Sequence, residues 1–365
     1  MMKQRFTTLD IFRGILASFI VLFHMSFFSD TLVLNNPFMQ GTDLFVDFFF
    51  ILSGFIIRYN YSEITNLQPL ITFLKKRLLR IYPLHVILLL IYLILELTKY
   101  FFSGSNLINN HFNTDNTITT FITNLFLLNS IPWSGITNVS WNNPSWSISA
   151  ELLSYFLYAI VTYLILSNAK MRFKSAVYIS IILLSFSILY GLTGSASIVY
   201  TYNYGFLRGF IGFFTGVICL NTYSYLYRYF NKSSDYFFTY LEVSILIILG
   251  LTIPLKEKLA DITVIYEALF FITILIFSFQ KGFISHFLNK SRVLKNIGTY
   301  SYSIYLTHGL INTFFNVLFI RILRFAPSDY SYLFVLNYIL VFYISRWTYT
   351  TIERRFYKPQ TIYTL

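Results

Sequence analysis

Uninterrupted apolar runs of membrane-spanning length recur along this chain, and no other feature constrains its fold as tightly. About 20 apolar residues cross a bilayer as a helix. The runs are continuous rather than alternating, which excludes an outer-membrane barrel. Ten are legible: 9–28, 44–60, 82–99, 146–167, 175–192, 206–222, 237–253, 262–280, 299–320 and 331–352. They predict an all-α, polytopic membrane helix bundle of about ten transmembrane helices. The segments between them test that count. With the N-terminus inside, nineteen Lys and Arg fall on the cytoplasmic side, Lys3, Arg58, Lys75, Lys76, Arg228, Lys290 and Lys358 among them. Only Lys99, Lys256, Lys258, Arg321 and Arg324 fall outside. That asymmetry places both termini in the cytoplasm, and an odd number of spans would scramble it.

Composition enters where it excludes alternatives. Of 365 residues, 56% are hydrophobic and 12% charged, against about 25% charged in a soluble domain. The 30 Tyr suit headgroup depth, where an apolar ring and a polar tip are both satisfied. The net charge of +12 would fit a nucleic-acid binder if it formed a groove. It is dispersed in clusters between apolar runs instead, so no nucleic-acid partner is expected. The first run carries Arg13 and lacks a small-x-small cleavage site, so it is not a signal peptide. Cys219, the single cysteine, excludes an intramolecular disulfide and argues against a thiolate metal site; its apolar run suggests a packed, inert thiol.

The chain reads as one membrane domain over 1–365, with no fused soluble domain and no internal repeat of the kind transporters carry. One stretch breaks the pattern. Residues 100–145 form a long outer loop rich in Asn, Thr and Ser, including Asn109, Asn110, Asn113 and Asn116. Its apolar piece at 120–131 is too short to span and is either re-entrant or interfacial. Trp133, Trp141 and Pro144 follow.

Charges inside spans are costly and usually functional. Arg13 and His24 are eleven residues apart, so they return to nearly the same helix face, separated by roughly 16 Å along the axis. Asp10 lies one turn before Arg13 and can pair with it. His24 is either a reactive group or a hydrogen-bonding contact to a neighbouring helix. Asp43 and Asp47 share a face at the start of the second span, and the partner expected for a carboxylate there is His24, unless Asp43 lies at the outer surface without a role. Arg77 and Arg80, in the basic run before the third span, serve orientation and can also clasp phosphates. Ser147 and Glu151 share a face of the fourth span, as do Ser301, Tyr305 and His308 in the ninth. That last stripe is equally compatible with helix packing. Glu267 is a further intramembrane acid without an assigned role.

Taken in order, these segments resemble the acyltransferase-3 family of membrane O-acyltransferases, many of them polysaccharide or lipopolysaccharide (O-antigen) O-acetylases. The resemblance runs through Leu9-Asp10-Ile11-Phe12-Arg13-Gly14 to His24, then Val46 to Phe55, then Arg77-Leu78-Leu79-Arg80-Ile81-Tyr82-Pro83. It resumes at Asn143 to Glu151 and at Gly298 to His308, and closes at Ile352-Glu353-Arg354-Arg355-Phe356. Phe45 stands where the family's second motif commonly has Gly, and Gly41-Thr42-Asp43 offers another start for that motif. The motif acid is therefore Asp43 or Asp47, with the spacing to Ser53-Gly54 favouring Asp47.

The resemblance implies a cytoplasmic acyl-CoA donor, most often acetyl-CoA, and a carbohydrate hydroxyl beyond the membrane as acceptor. No bound cofactor or metal is implied. On this reading Arg13, Arg77 and Arg80 meet the CoA phosphates. His24 is general base or acyl carrier, and Asp47 or Glu151 orients it. Asp10, Ser53, Ser147, Tyr305 and His308 support these groups. Trp133 and Trp141 are candidate acceptor-stacking residues, unless they anchor the loop at the headgroups. The implied setting is the bacterial cytoplasmic (inner) membrane, with lipid as partner. The rival class is a transporter or flippase using the same buried charges as a path, and a silent envelope scaffold is a third reading.

Overall fold

The computed structural model describes residues 5–62, 64–101, 113–165 and 170–356. Lys3, Asn109, Asn110 and Lys358 lie outside the described residues. Among the described residues every regular element is helical. In order these are α1 (Thr7–Ser26), a single turn α2 (Pro37–Gln40), α3 (Phe45–Asn60), α4 (Leu67–Phe101), α5 (Ile118–Leu125) and α6 (Ser145–Leu164). There follow α7 (Met171–Thr193), α8 (Gly205–Phe230), α9 (Asp235–Thr252), α10 (Ile265–Ser278), α11 (Phe283–Lys290), α12 (Arg292–Asn316) and α13 (Tyr330–Thr348).

Every predicted span corresponds to a helix. Eight are long and apolar enough to cross a membrane, and α10 with α11, bent by 72°, makes a ninth if counted as one span. The predicted run 262–280 is helical over only 14 residues in α10, about 21 Å at 1.5 Å per residue and short of a ~30 Å hydrocarbon core. The bend after it is held by Glu242 of α9. Its carboxylate accepts from the Gly282, Ile284 and Ser285 amides at 3.1, 3.0 and 3.1 Å, neutralising the orphan donors at the N-terminus of α11. α13 has the length but, with Asn337 and Arg346 inside it, not the apolarity; it packs along α12.

Two differences from the sequence reading matter for the site. The basic run 75–83 belongs to the 35-residue α4, which begins at Leu67 and contains Pro83. Arg77 and Arg80 are therefore one turn apart on a helix. The apolar piece at 120–131 contains the short helix α5, which is tied to its neighbours by hydrogen bonds. His85 Nε2 donates to the Asn124 carbonyl at 2.8 Å, and Tyr82 donates to the Leu125 carbonyl at 2.9 Å. The Asn124 amide bonds Ser140 and accepts from Ser145.

Large apolar side chains such as Leu183, Leu184 and Leu192 on α7 face outward, where lipid accepts them, while the buried charges Asp47 and Arg208 sit inside an otherwise apolar core. α3 and α8 are the most enclosed helices. They pack backbone to backbone: a Cβ on Gly54 or Gly216 would fall 1.8 Å from the Phe213 or Ile51 carbonyl oxygen. α1 and α12 meet in the same manner at Gly14 and Gly298. Small residues permit such approach where no hydrophobic force drives helices together. Cys219 is buried on α8, its Sγ 3.6 Å from the Phe271 carbonyl.

Candidate active site

Because α1 and α12 touch through glycines, their side chains mesh along a shared face. Arg13 Nε donates to Ser301 Oγ at 2.8 Å, and its Nη2 reaches the Gly298 carbonyl at 3.3 Å. Asp10 completes the grip at 3.3 Å and also pairs with Arg5. Eleven residues along α1, His24 faces His308 of α12, ring centroids 4.8 Å apart. The register 13 with 301 and 24 with 308 shows that the two helices run parallel. Glu353, in a π-helical turn after α13, accepts from Ser303 Oγ of α12, to which Thr348 also donates. The described beginning and end of the chain thus lie at one end of the bundle.

At that end opens a cavity with about 820 Å³ of empty volume, open solvent included. Arg13, Arg77 and Arg80 line it, from two helices. Arg77 stacks its guanidinium on Tyr61, 5.4 Å from the ring centroid. One wall carries Glu151, whose Oε1 accepts from Ser53 Oγ and from Tyr155 OH, both at 2.5 Å. Ser147 and Tyr305 also line the cavity and are hydrogen-bonded to each other at 2.8 Å. Tyr305 then stands next to His308, centroids 6.0 Å apart. The cavity therefore holds three guanidinium groups and extends to Ser147 and Tyr305, and the Tyr305 ring is what adjoins the histidine pair.

His24 is half-buried, and its Nδ1 lies 2.8 Å from the Ile20 carbonyl. A carbonyl can only accept, so Nδ1 carries the proton in the neutral ring. Nε2 is left with a free lone pair.

The structure thus brings Arg13, Ser53, Arg77, Arg80, Ser147, Glu151 and Tyr305 to one cavity. It places His24 and His308 together just beyond it. Asp47 does not join them. It is fully buried and makes a bidentate pair with Arg208 of α8, Oδ1 to Nε at 2.6 Å and Oδ2 to Nη2 at 2.8 Å, and Arg208 stacks on Trp146. The partner expected in His24 is an arginine on another span. Asp43, the other candidate, pairs with Lys256 at 2.6 Å. Glu151 is likewise engaged by hydroxyls rather than by His24. Glu267 is buried, and neither of its carboxylate oxygens has a hydrogen-bond partner among the described residues.

On the loop side, Trp141 is buried. Its indole donates to Thr120 at 3.1 Å and packs against Phe121, so its ring is already committed. Trp133 remains half-exposed, its indole donating to the Leu128 carbonyl at 2.9 Å.

Arg208, Glu242 and His85 were missed in the sequence. The signal for Arg208 was available, since an isolated Arg within the run 206–222 demands a buried partner. Glu353 was visible as part of a motif but without a role, because its partner Ser303 is fifty residues away.

Among the described residues, an all-helical bundle with eight or nine candidate spans, apolar outside and with a cavity lined by three arginines at one end, defines an integral multi-pass membrane protein. The chain belongs to the acyltransferase-3 family: the family model described as an acyltransferase domain matches residues 6–349, nearly the whole length. It is accordingly a membrane acyltransferase by family. Comparison with curated proteins and with solved structures gave no match.

Proposed function

We propose that this acyltransferase takes an acyl group, acetyl in the first instance, from acyl-CoA on the cytoplasmic side. It delivers the group to a hydroxyl of a cell-surface carbohydrate. The observation that carries the reading is a cavity lined by three arginines and by Tyr305, whose ring adjoins His308 and through it His24, a base whose Nε2 lone pair is left free by the Ile20 carbonyl. The Lys and Arg bias between spans supports putting the arginine end in the cytoplasm of a bacterial inner membrane.

Guanidinium groups suit CoA phosphates because each offers several fixed donors at constant charge. With the phosphates held there, the pantetheine arm extends past Ala17, Phe49 and Tyr305 toward the histidines. In the direct route, the acceptor O–H gives its proton to His24 Nε2 as its oxygen bonds to the thioester carbonyl carbon. Collapse breaks the C–S bond, and the CoA thiolate leaves with the proton from the imidazolium. The same lone pair supports an acyl-histidine route, in which Nε2 itself attacks the thioester.

Purified protein in lipid nanodiscs, supplied with acetyl-CoA and carbohydrate, tests the reading. Transfer without any ion gradient excludes pure transport. His24→Gln is expected to lower kcat by about 10²–10⁴ while CoA binding persists. Unchanged turnover in that variant would refute the role of His24. Radiolabelled acetyl-CoA without acceptor separates the routes, since only the acyl-histidine route traps label on the protein.

A further inference from the structure

Polar atoms buried without partners are rare, and each one calls for an explanation. Past Tyr305 several of them gather on one turn of α12. His308 is fully buried, and neither ring nitrogen makes a hydrogen bond of normal geometry, although the ring lies beside the Ile304 and Tyr305 carbonyls. Asn312, four residues on and so on the same face, is 3% exposed, with both amide atoms unpartnered. Asn142, 1% exposed, donates from Nδ2 to the Leu306 carbonyl at 3.1 Å, but its Oδ1 accepts nothing. Gly309 lies between these groups. A Cβ there would sit 3.1 Å from the Tyr92 hydroxyl and 3.6 Å from Asn142 Oδ1, so both reach this turn of α12. By contrast, Thr307 and Ser303 on the same helix are fully engaged. Of the three side chains with orphan atoms, His308 is the one that faces His24.

We propose that His308, Asn312 and Asn142 form the acceptor subsite, holding a neutral polyhydroxylated ring so that one hydroxyl lies at His24. The inference rests on the transfer reading above and adds the acceptor's chemistry and location. A sugar hydroxyl is both donor and acceptor. Matching it takes a set that mixes amide N–H, amide oxygen and imidazole nitrogen, which these three side chains supply. None of the three is a lysine or arginine, so the set suits a neutral hydroxylated ring rather than a phosphate. His308 steadies the reacting hydroxyl while His24 takes its proton. Asn312 and Asn142 hold neighbouring hydroxyls and act as positioning residues.

Methyl hexopyranosides and their monodeoxy analogues serve as acceptors for the nanodisc enzyme, with CoA thiol release as readout. Asn312→Ala and Asn142→Ala are expected to raise acceptor KM about tenfold or more, leaving acetyl-CoA KM and the thermal shift produced by CoA unchanged. With the wild type, removing a hydroxyl next to the acylated one should raise KM comparably, and Asn312→Ala should be insensitive to that removal. The deoxy series needs no variant to fold. An acceptor KM indifferent to both the deoxy series and the alanine variants overturns the subsite while leaving acyl transfer standing. A retained CoA shift with no hexoside acylated also overturns it. Loss of the CoA shift in the wild type overturns the transfer reading beneath it.

Discussion

His24 and His308 face each other with ring centroids 4.8 Å apart, and this pairing depends on a contact well below it, where Gly14 of α1 meets Gly298 of α12. The absence of two Cβ atoms sets the spacing of the helices, and the spacing sets the site. A Cβ on Gly14 would lie 2.5 Å from the Gly298 amide nitrogen, and one on Gly298 2.4 Å from the Asp10 carbonyl oxygen. Backbone atoms cannot swing aside, so the helices must part.

Gly14→Val or Gly298→Val is therefore expected to lower transfer at least a hundredfold and to reduce thermal stability in detergent. Gly191→Ala and Gly250→Ala have nothing within 4 Å of the new methyl group. They should keep full activity and be neutral or stabilised by roughly 0.5–1 kcal/mol through lower chain entropy. Detergent unfolding curves alongside turnover check both, and wild-type activity in Gly14→Val would disprove the spacing argument.

The buried Asp47–Arg208 pair separates architecture from chemistry. Removing one partner leaves an uncompensated buried charge, a cost of about 3–5 kcal/mol, whereas replacing both with apolar residues is often tolerated. Asp47→Leu and Arg208→Met should each fold poorly, and the double variant should recover most of the lost stability. If the double variant also regains acyl transfer, Asp47 acts through the fold. A stable but inactive double variant would instead return Asp47 to the chemistry.

Arg13, Arg77 and Arg80 should divide the work of phosphate binding. A hydrogen bond to a charged group is worth about 1.5–3 kcal/mol. Arg77→Gln or Arg80→Gln is thus expected to weaken CoA binding by about 10- to 150-fold, with smaller effects in high salt. 3′-Dephospho-CoA identifies which guanidinium meets the 3′-phosphate, because only that variant binds CoA and its dephospho form alike. Titration calorimetry in nanodiscs reads this directly. Wild-type CoA affinity in both variants would remove Arg77 and Arg80 from the donor site.

Sidedness is tested by labelling in intact cells on a Cys219→Ser background. Ser328→Cys, in the exposed connection before α13, should react with an impermeant maleimide from outside. Lys232→Cys, in the exposed turn after α8, should react only after lysis. The reverse pattern would turn the cavity outward and sink the cytoplasmic-donor proposal.

Sequence alone determined that the chain is a membrane bundle, because hydrocarbon leaves the backbone no partner but itself and the apolar runs are long enough to cross. It also placed Arg13 and His24 on one face of one helix, since helical geometry is local. It picked out Arg77, Arg80, Ser53, Ser147, Glu151 and Tyr305 as candidates, and these converge on one cavity. Only the tertiary structure decided which groups are partners. The sequence suggested Asp47 for His24 by nearness of spans, yet Asp47 pairs with Arg208, 161 residues away. His24 meets His308 instead, and Glu353 reaches back to Ser303. Period and composition fix which way a side chain points from its own helix. The packing of many helices at once fixes what it meets.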